Sequence, residues 1–255
     1  METISINEYT HLGDVIATLI LAHNRAMKNN WIIKIHGPGF IKNLFDMFDF
    51  ENLNYINNGL KLPANCSLIK LIPFKEYGPL RNGKATEPFL NARHCFHLKS
   101  KEDAEPITKI ILPKTKLKET NKENVCCFQF DSRSIYYGKR QLTPKEVISS
   151  INRFKKNDKP VGIGGPETAK YNNFDYKLGF LNDIGQTLIN SNQFVGIDSG
   201  ISHLAGMLNV KSNIILTSTI ARRQKELIEF YNIFYPNTTC HILDDIKNFK
   251  LLKMI

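Results

Sequence analysis

The chain has 255 residues, 42% of them hydrophobic and 10% aromatic, a make-up that suits a globular protein and excludes a disordered one. No stretch nears the ~18 uninterrupted apolar residues of a membrane span, and residues 1–9 carry Glu2 and Glu8 with no basic residue, unlike a signal peptide. Lys plus Arg (34) exceeds Asp plus Glu (24) for a net charge of +10, which excludes a generally anionic surface and favours anionic ligands.

In chain order, TISINEY alternates as a strand. VIATLILAHNRAMKNN follows with Val15, Leu19, Ala22 and Ala26 at helical spacing, and Ile16, Ile20 and Met27 fill a second side, so the helix is expected to be largely buried. WIIKIHG reads as a second strand. Residues 61–105 contain Pro63, Pro73, Pro79 and Pro88 and read as short strands in long loops, and ITKIILP as a further strand. KTKLKETNKEN, 114–124, buries almost nothing and reads as a linker.

Alternation then resumes. VCCFQF is a strand, PKEVISSINRF a helix, KPVGIGG a strand and YKLGFLNDIGQTLINS a helix. FVGID is a strand, SHLAGMLNV its helix, SNIILTS a strand and RRQKELIEFYNIF a helix. The expected fold class is α/β, with two Rossmann-like doubly wound parallel-sheet domains, 1–120 and 121–255, facing a cleft at the carboxyl ends of their strands. Five cysteines (Cys66, Cys95, Cys126, Cys127, Cys240) in a chain without an export signal read as reduced thiols, with Cys126 and Cys127 in the core. The expected location is the cytoplasm (a host's, if the chain is phage-encoded), with at most peripheral membrane contact.

The positive charge is clustered. Residues 61–100 hold seven basic side chains against two acidic ones, and 131–160 hold eight against three. Either these clusters gather anions such as nucleotides, phosphorylated glycans or nucleic acid, or they are a solvated basic surface.

Four stretches at strand ends carry candidate chemistry. In FVGIDSGISHLAG, Gly200 admits a ligand to the backbone, Ser199 offers a hydroxyl, and the following helix offers unpaired N–H groups to a diphosphate, with His203 one turn on. The same stretch also reads as a plain corner in which Asp198 and Ser199 cap the helix and His203 packs beside them. In KPVGIGGPETAKY, Gly164 and Gly165 suit a tight turn against a flat ligand and Glu167 a ribose; the alternative is a simple turn. Lys139 and Arg140, ahead of Pro144, are either phosphate contacts or a solvated loop. Asp14, after Gly13 at a helix start, is either an N-cap or a general base. RHCFH, 93–97, lacks a second pair of ligands and reads as an aromatic loop rather than a metal site.

Taken together, LGDVIATL, GKRQLTP, IGGPE and IDSGISHLAG resemble the heptosyltransferases of lipopolysaccharide-core synthesis, glycosyltransferase family nine. The likeness spans the first forty residues and the C-terminal half and does not extend to about 45–110. It implies the GT-B architecture and an inverting, metal-independent transfer from a nucleotide-diphosphate sugar, with no cofactor. Asp14 would be the base. Lys139, Arg140, Ser199, Gly200 and His203 would hold the donor diphosphate, Asp198 would shape that loop, and Gly164, Gly165 and Glu167 would lie near the nucleoside. Leu142 and Thr143 stand where the family has Trp before the proline.

The resemblance favours a polyanionic saccharide acceptor, of the lipopolysaccharide core or another surface glycan. The basic, aromatic 70–101 stretch, with Arg81, Lys84 and Arg93, also suits DNA carrying a hydroxymethylated base, which phage GT-B enzymes glycosylate. A non-catalytic nucleotide-sugar-binding protein is the remaining alternative.

Overall fold

A computed structural model describes residues 2–6, 11–57, 68–70, 110–131, 142–164, 174–217 and 221–243. The chain divides into two compact units, residues 1–116 and 117–255. Among the described residues, no helix is long and apolar enough to cross a membrane.

The first unit is built on a four-stranded parallel sheet. Strand β1 (Glu2–Ser5) lies between β2 (Ile33–Gly37) and β5 (Leu68–Lys70), and β4 (Leu53–Asn57) flanks β2. The long helix α1 (Leu12–Asn29) joins β1 to β2. Val15, Ile16, Leu19, Ile20, Ala22 and Ala26 are wholly buried, so the broad apolar arc seen in the sequence faces the core. Asn30 ends the helix in the left-handed conformation, φ 52°, a role asparagine accepts more readily than most residues. Helix α2 (Phe40–Met47) buries Ile41, Leu44 and Met47. Strand β3 (Phe48–Asp49) then pairs antiparallel with β6 (Lys114–Thr115).

The second unit carries a six-stranded, wholly parallel sheet. Its strands are β7 (Glu123–Gln129), β8 (Lys159–Gly164), β9 (Asp175–Leu178), β10 (Ser191–Ile197), β11 (Ser212–Leu216) and β12 (Thr238–Ile242), in the spatial order β9-β8-β7-β10-β11-β12. Counted within the unit this is 3-2-1-4-5-6, the Rossmann order, whose switch point falls between β7 and β10. The helices are α3 (Pro144–Phe154), α4 (Leu181–Ile189), α5 (Gly200–Met207) and α6 (Ala221–Phe234). Cys126, Phe128, Val147, Ile151, Val195, Ile197, Ile215 and Leu243 form one apolar core on the sheet. Burial pushes the Cys126 thiol up to about 12 and that of Cys127 to about 11, as core residues.

Several expectations need correction. ITKIILP is not a strand over its described part: residues 110–113 are irregular, and the Ile111 main chain is satisfied by one side chain instead. Asn24 Nδ2 donates to the Ile111 carbonyl at 2.9 Å, and the Ile111 N–H donates to Asn24 Oδ1 at 2.8 Å. The supposed linker begins as β6, and beyond the unit boundary it is tied down. Gln186 Nε2 donates to the Lys118 carbonyl at 2.8 Å, and the Thr120 N–H to Asn190 Oδ1 at 3.1 Å. YKLGFLNDIGQTLINS is not one helix. Tyr176 to Leu178 belong to β9, and α4 starts only after Gly179, where the Asp183 carboxylate accepts the Phe180 N–H at 3.0 Å. Ahead of Pro144, Leu142 is buried in the core and Thr143 caps α3 in a reciprocal box with Glu146.

Candidate functional site

Strands β7 and β10 run side by side at the centre of the second sheet, with Gln129 in register with Gly196. A side chain at Gly196 would meet the Gln129 carbonyl at 2.7 Å and the Phe194 ring at 2.6 Å, so glycine is what lets the two strand ends close up. Beyond β10 the chain turns through Asp198 and Ser199 into α5. Ser199 is the N-cap, in extended conformation, and its Oγ accepts the Ser202 N–H at 3.4 Å while donating to Gln129 Oε1 at 2.9 Å. The cap therefore stitches the two sides of the switch point together. Ser202 Oγ donates to the Ile197 carbonyl and lies 3.2 Å from Ser199 Oγ. With the Ser202 N–H used by the cap, helix geometry leaves the N–H groups of Gly200 and Ile201 without a carbonyl inside α5. They form the donor pair an anion would meet there.

Beneath this corner lies a polar cluster set in aromatic rings. Tyr231, on α6, donates its hydroxyl to Asp198 Oδ1 at 3.1 Å. His203 Nε2 lies 3.5 Å from the same oxygen, and its Nδ1 is 2.9 Å from the Tyr235 hydroxyl. The imidazole packs against Phe230, Tyr231 and Tyr235, with ring centroids 5.4, 5.4 and 5.7 Å away. Burial, and next the charge of Asp198, hold both phenols well above their ordinary range, so they stay protonated donors.

The structure thus brings Asp198, Ser199, Gly200 and His203 to one corner, as the sequence arranges them. It gives Ser199 a capping bond and His203 packed neighbours, features of the plainer of the two readings. These do not exclude a ligand, because the N–H pair of Gly200 and Ile201 stays available. Gly164 ends β8 with φ 145°, a conformation that suits glycine alone, and its carbonyl accepts the Gly179 N–H at 3.2 Å. Asp14 is not the N-cap of α1. His11 holds that place without a side-chain cap bond, and Asp14 sits in the first turn, half-buried, at the carboxyl-end side of the first sheet. Lys139, Arg140, Gly165, Glu167, Arg81, Lys84 and Arg93 lie outside the described residues, as does the 93–97 stretch. Among the described residues, no three His, Cys, Asp or Glu side chains gather as a metal site would need.

Gln129, Tyr231 and Tyr235 are site residues that the motif pattern misses. Gln129 had a signal, as the polar residue that follows the apolar run 125–128 of β7. The tyrosines, four residues apart across the end of α6, belong to no motif in the sequence.

No protein-family model matches the chain, and no curated protein matches its sequence. Solved structures do match. The structure of E. coli ADP-heptose lps heptosyltransferase II superposes with a TM-score of 0.58 at 12% identity, covering 94% of this chain and 90% of that one. The fold is that of the heptosyltransferases. E. coli heptosyltransferase WaaC with ADP gives a TM-score of 0.56 at 11% identity, over 97% of this chain and 98% of that one. The iron-containing dodecameric glycosyltransferase TibC, from enterotoxigenic E. coli H10407, gives 0.57 at 12% identity over 84% of this chain. This chain spans only 58% of TibC's length.

Proposed function

We propose that the chain is a glycosyltransferase of the GT-B plan that takes its sugar from a nucleoside-diphosphate donor held by the second unit. The observation that carries this is the corner at the β7/β10 switch point, where the Gly200 and Ile201 N–H groups open the helix that follows β10. A doubly wound sheet binds its ligands in the crevice outside the carboxyl ends of its strands at such a switch point, and a helix N-terminus there suits a diphosphate. The heptosyltransferase fold, seen with ADP in WaaC, supports a nucleotide-sugar donor for this chain. Lys139 and Arg140 would add positive charge, Gly164, Gly165 and Glu167 would lie along the nucleoside, and Asp198 would hold the loop's shape.

In the proposed reaction Asp14 takes the proton of an acceptor hydroxyl. The acceptor oxygen bonds to the anomeric carbon as the bond from that carbon to the diphosphate oxygen breaks, with inversion. The electron pair leaves on the diphosphate, where Lys139, His203 and the start of α5 stabilise it in place of a metal ion. The acceptor is a polyanionic saccharide, of the lipopolysaccharide core or another surface glycan, with Arg81, Lys84 and Arg93 as its contacts.

Purified chain is screened with ADP-, UDP- and GDP-sugars by thermal shift and by release of the nucleoside diphosphate on adding saccharide. One donor family should raise the melting temperature and turn over in EDTA. Binding without turnover on any acceptor would leave a nucleotide-sugar-binding protein. Turnover lost to EDTA and restored by a metal ion would overturn the metal-free mechanism. Transfer to hydroxymethylated DNA, with steeply salt-dependent binding, would replace the saccharide.

A further inference from the structure

The ring of His203 is gripped at both nitrogens, and the two grips agree. The Tyr235 hydroxyl is fully buried, and among the described residues its one hydrogen-bond partner is His203 Nδ1, at 2.9 Å. A buried hydroxyl that gives its proton to nothing is costly, and burial holds this phenol's proton firmly. Nδ1 must therefore accept. On the far side Nε2 faces the Asp198 carboxylate, an acceptor that also receives the hydrogen bond of the Tyr231 hydroxyl. Nε2 must therefore carry hydrogen.

Access for Tyr235 depends on one small residue. A Cβ at Gly206, one turn beyond His203 on α5, would overlap the Tyr235 ring, so only glycine lets that ring lie across the helix and reach Nδ1. The final glycine of SHLAG thus has a purpose that its sequence position does not show.

We propose that Tyr235, admitted by Gly206, is a positioning residue that fixes His203 in the tautomer with hydrogen on Nε2. The imidazole then meets the donor's diphosphate as a hydrogen-bond donor, with no ring flip or proton shift first. This rests on the donor site proposed above. The 3.5 Å separation from Asp198 is longer than a good hydrogen bond, so Nε2–H exchanges a weak partner for a charged phosphate oxygen when the ligand arrives. Tyr231 acts on the other partner, holding Asp198 back against α6.

The test is ¹⁵N NMR of the histidine side chains together with ADP titration, on the wild-type chain and on Tyr235→Phe, Gly206→Ala and Tyr231→Phe. The wild type should show His203 with bare Nδ1 and protonated Nε2 before any ligand is added. Tyr235→Phe should release a mixture of tautomers and weaken ADP binding about tenfold, as loss of one hydrogen bond allows. Gly206→Ala should shift the tautomer in the same direction although the hydroxyl is still present, and Tyr231→Phe should leave it fixed.

A merely structural Tyr235 would lower the melting temperature of its variant and leave the tautomer unchanged, which overturns the proposal. So does a wild-type ring protonated at Nδ1, a result that needs no variant to fold. If the tautomer is as described and no nucleoside diphosphate binds, the donor reading fails and the positioning of the ring stands.

Discussion

At the start of α5, side chains from several elements converge: Gln129 from β7, Ser199 as cap, Asp198 and His203 on the corner, Tyr231 on α6 and Tyr235 just beyond it. At the start of α1 the N-cap His11 makes no side-chain cap bond, and the carboxylate comes from within the first turn, at Asp14. Both corners follow a central parallel strand, yet among the described residues only the N-cap of α5 ties its helix start to a neighbouring strand through its side chain. This contrast fits the proposed roles. A corner that presents two N–H groups to a diphosphate gains from being set in advance, since geometry fixed before binding costs nothing on binding, whereas a base needs only a carboxylate near the substrate proton.

The largest effect that tests this contrast is on rate. Asp14→Asn should cost about 10²–10⁴-fold in sugar transfer. The variant should keep its nucleotide affinity, because the proposed donor cradle lies in the second unit. A variant that keeps most of its transfer rate would remove Asp14 from the chemistry.

Gly196→Ala attacks the braced corner through its backbone. The new methyl would press on the Gln129 carbonyl and the Phe194 ring, and overpacking of this kind costs about 1–3 kcal/mol, readable as a lowered urea midpoint. Unchanged stability would mean that β7 and β10 separate easily and that the corner is less fixed than its geometry suggests.

Ser199→Ala removes the α5 cap and strips Gln129 Oε1 of its donor, for about 0.5–2 kcal/mol by thermal unfolding. Nucleotide affinity should fall with it. Ser199→Asn, an equally good cap by type, should recover most of the stability if capping is the chief role.

The smallest effect is a pH slope away from both corners. Burial lowers the affinity of His23 for its proton, and burial followed by Arg153 does the same for His241. Each group binds protons more readily unfolded, with a value of about 6.5, than folded. The stability they contribute is full above that value and is lost as pH falls through the lower folded one. Melting temperatures should therefore decline below about pH 6.5, and less steeply in His23→Gln.

Much of the second unit was legible because its strands are short apolar runs, its helices are amphipathic, and Pro144 with Thr143 marks a helix start in plain terms. β12 was missed because TTCHI, at the sheet edge, buries only Thr238 fully and shows no strong pattern. Tyr176 and Leu178 were absorbed into a helix because edge strand β9 also leaves its residues largely exposed. In the first unit α2 and β4 drew no reading, each being brief, although Gly37-Pro38-Gly39 marks the break ahead of α2. At the site, Asp198, Ser199, Gly200 and His203 could be found because they are contiguous. Tyr231 and Tyr235 could not, because only the folded chain brings residues so far from His203 in sequence to its imidazole.

The double bond between Asn24 and the main chain of Ile111 has a consequence for how this protein can change over generations. One amide closes a span of 87 residues on itself, without a strand partner and without demanding any sequence at Ile111 beyond an ordinary peptide. Position 111 is then open to many side chains, because only its peptide group is used, while position 24 is closed to all but an amide that donates and accepts at once.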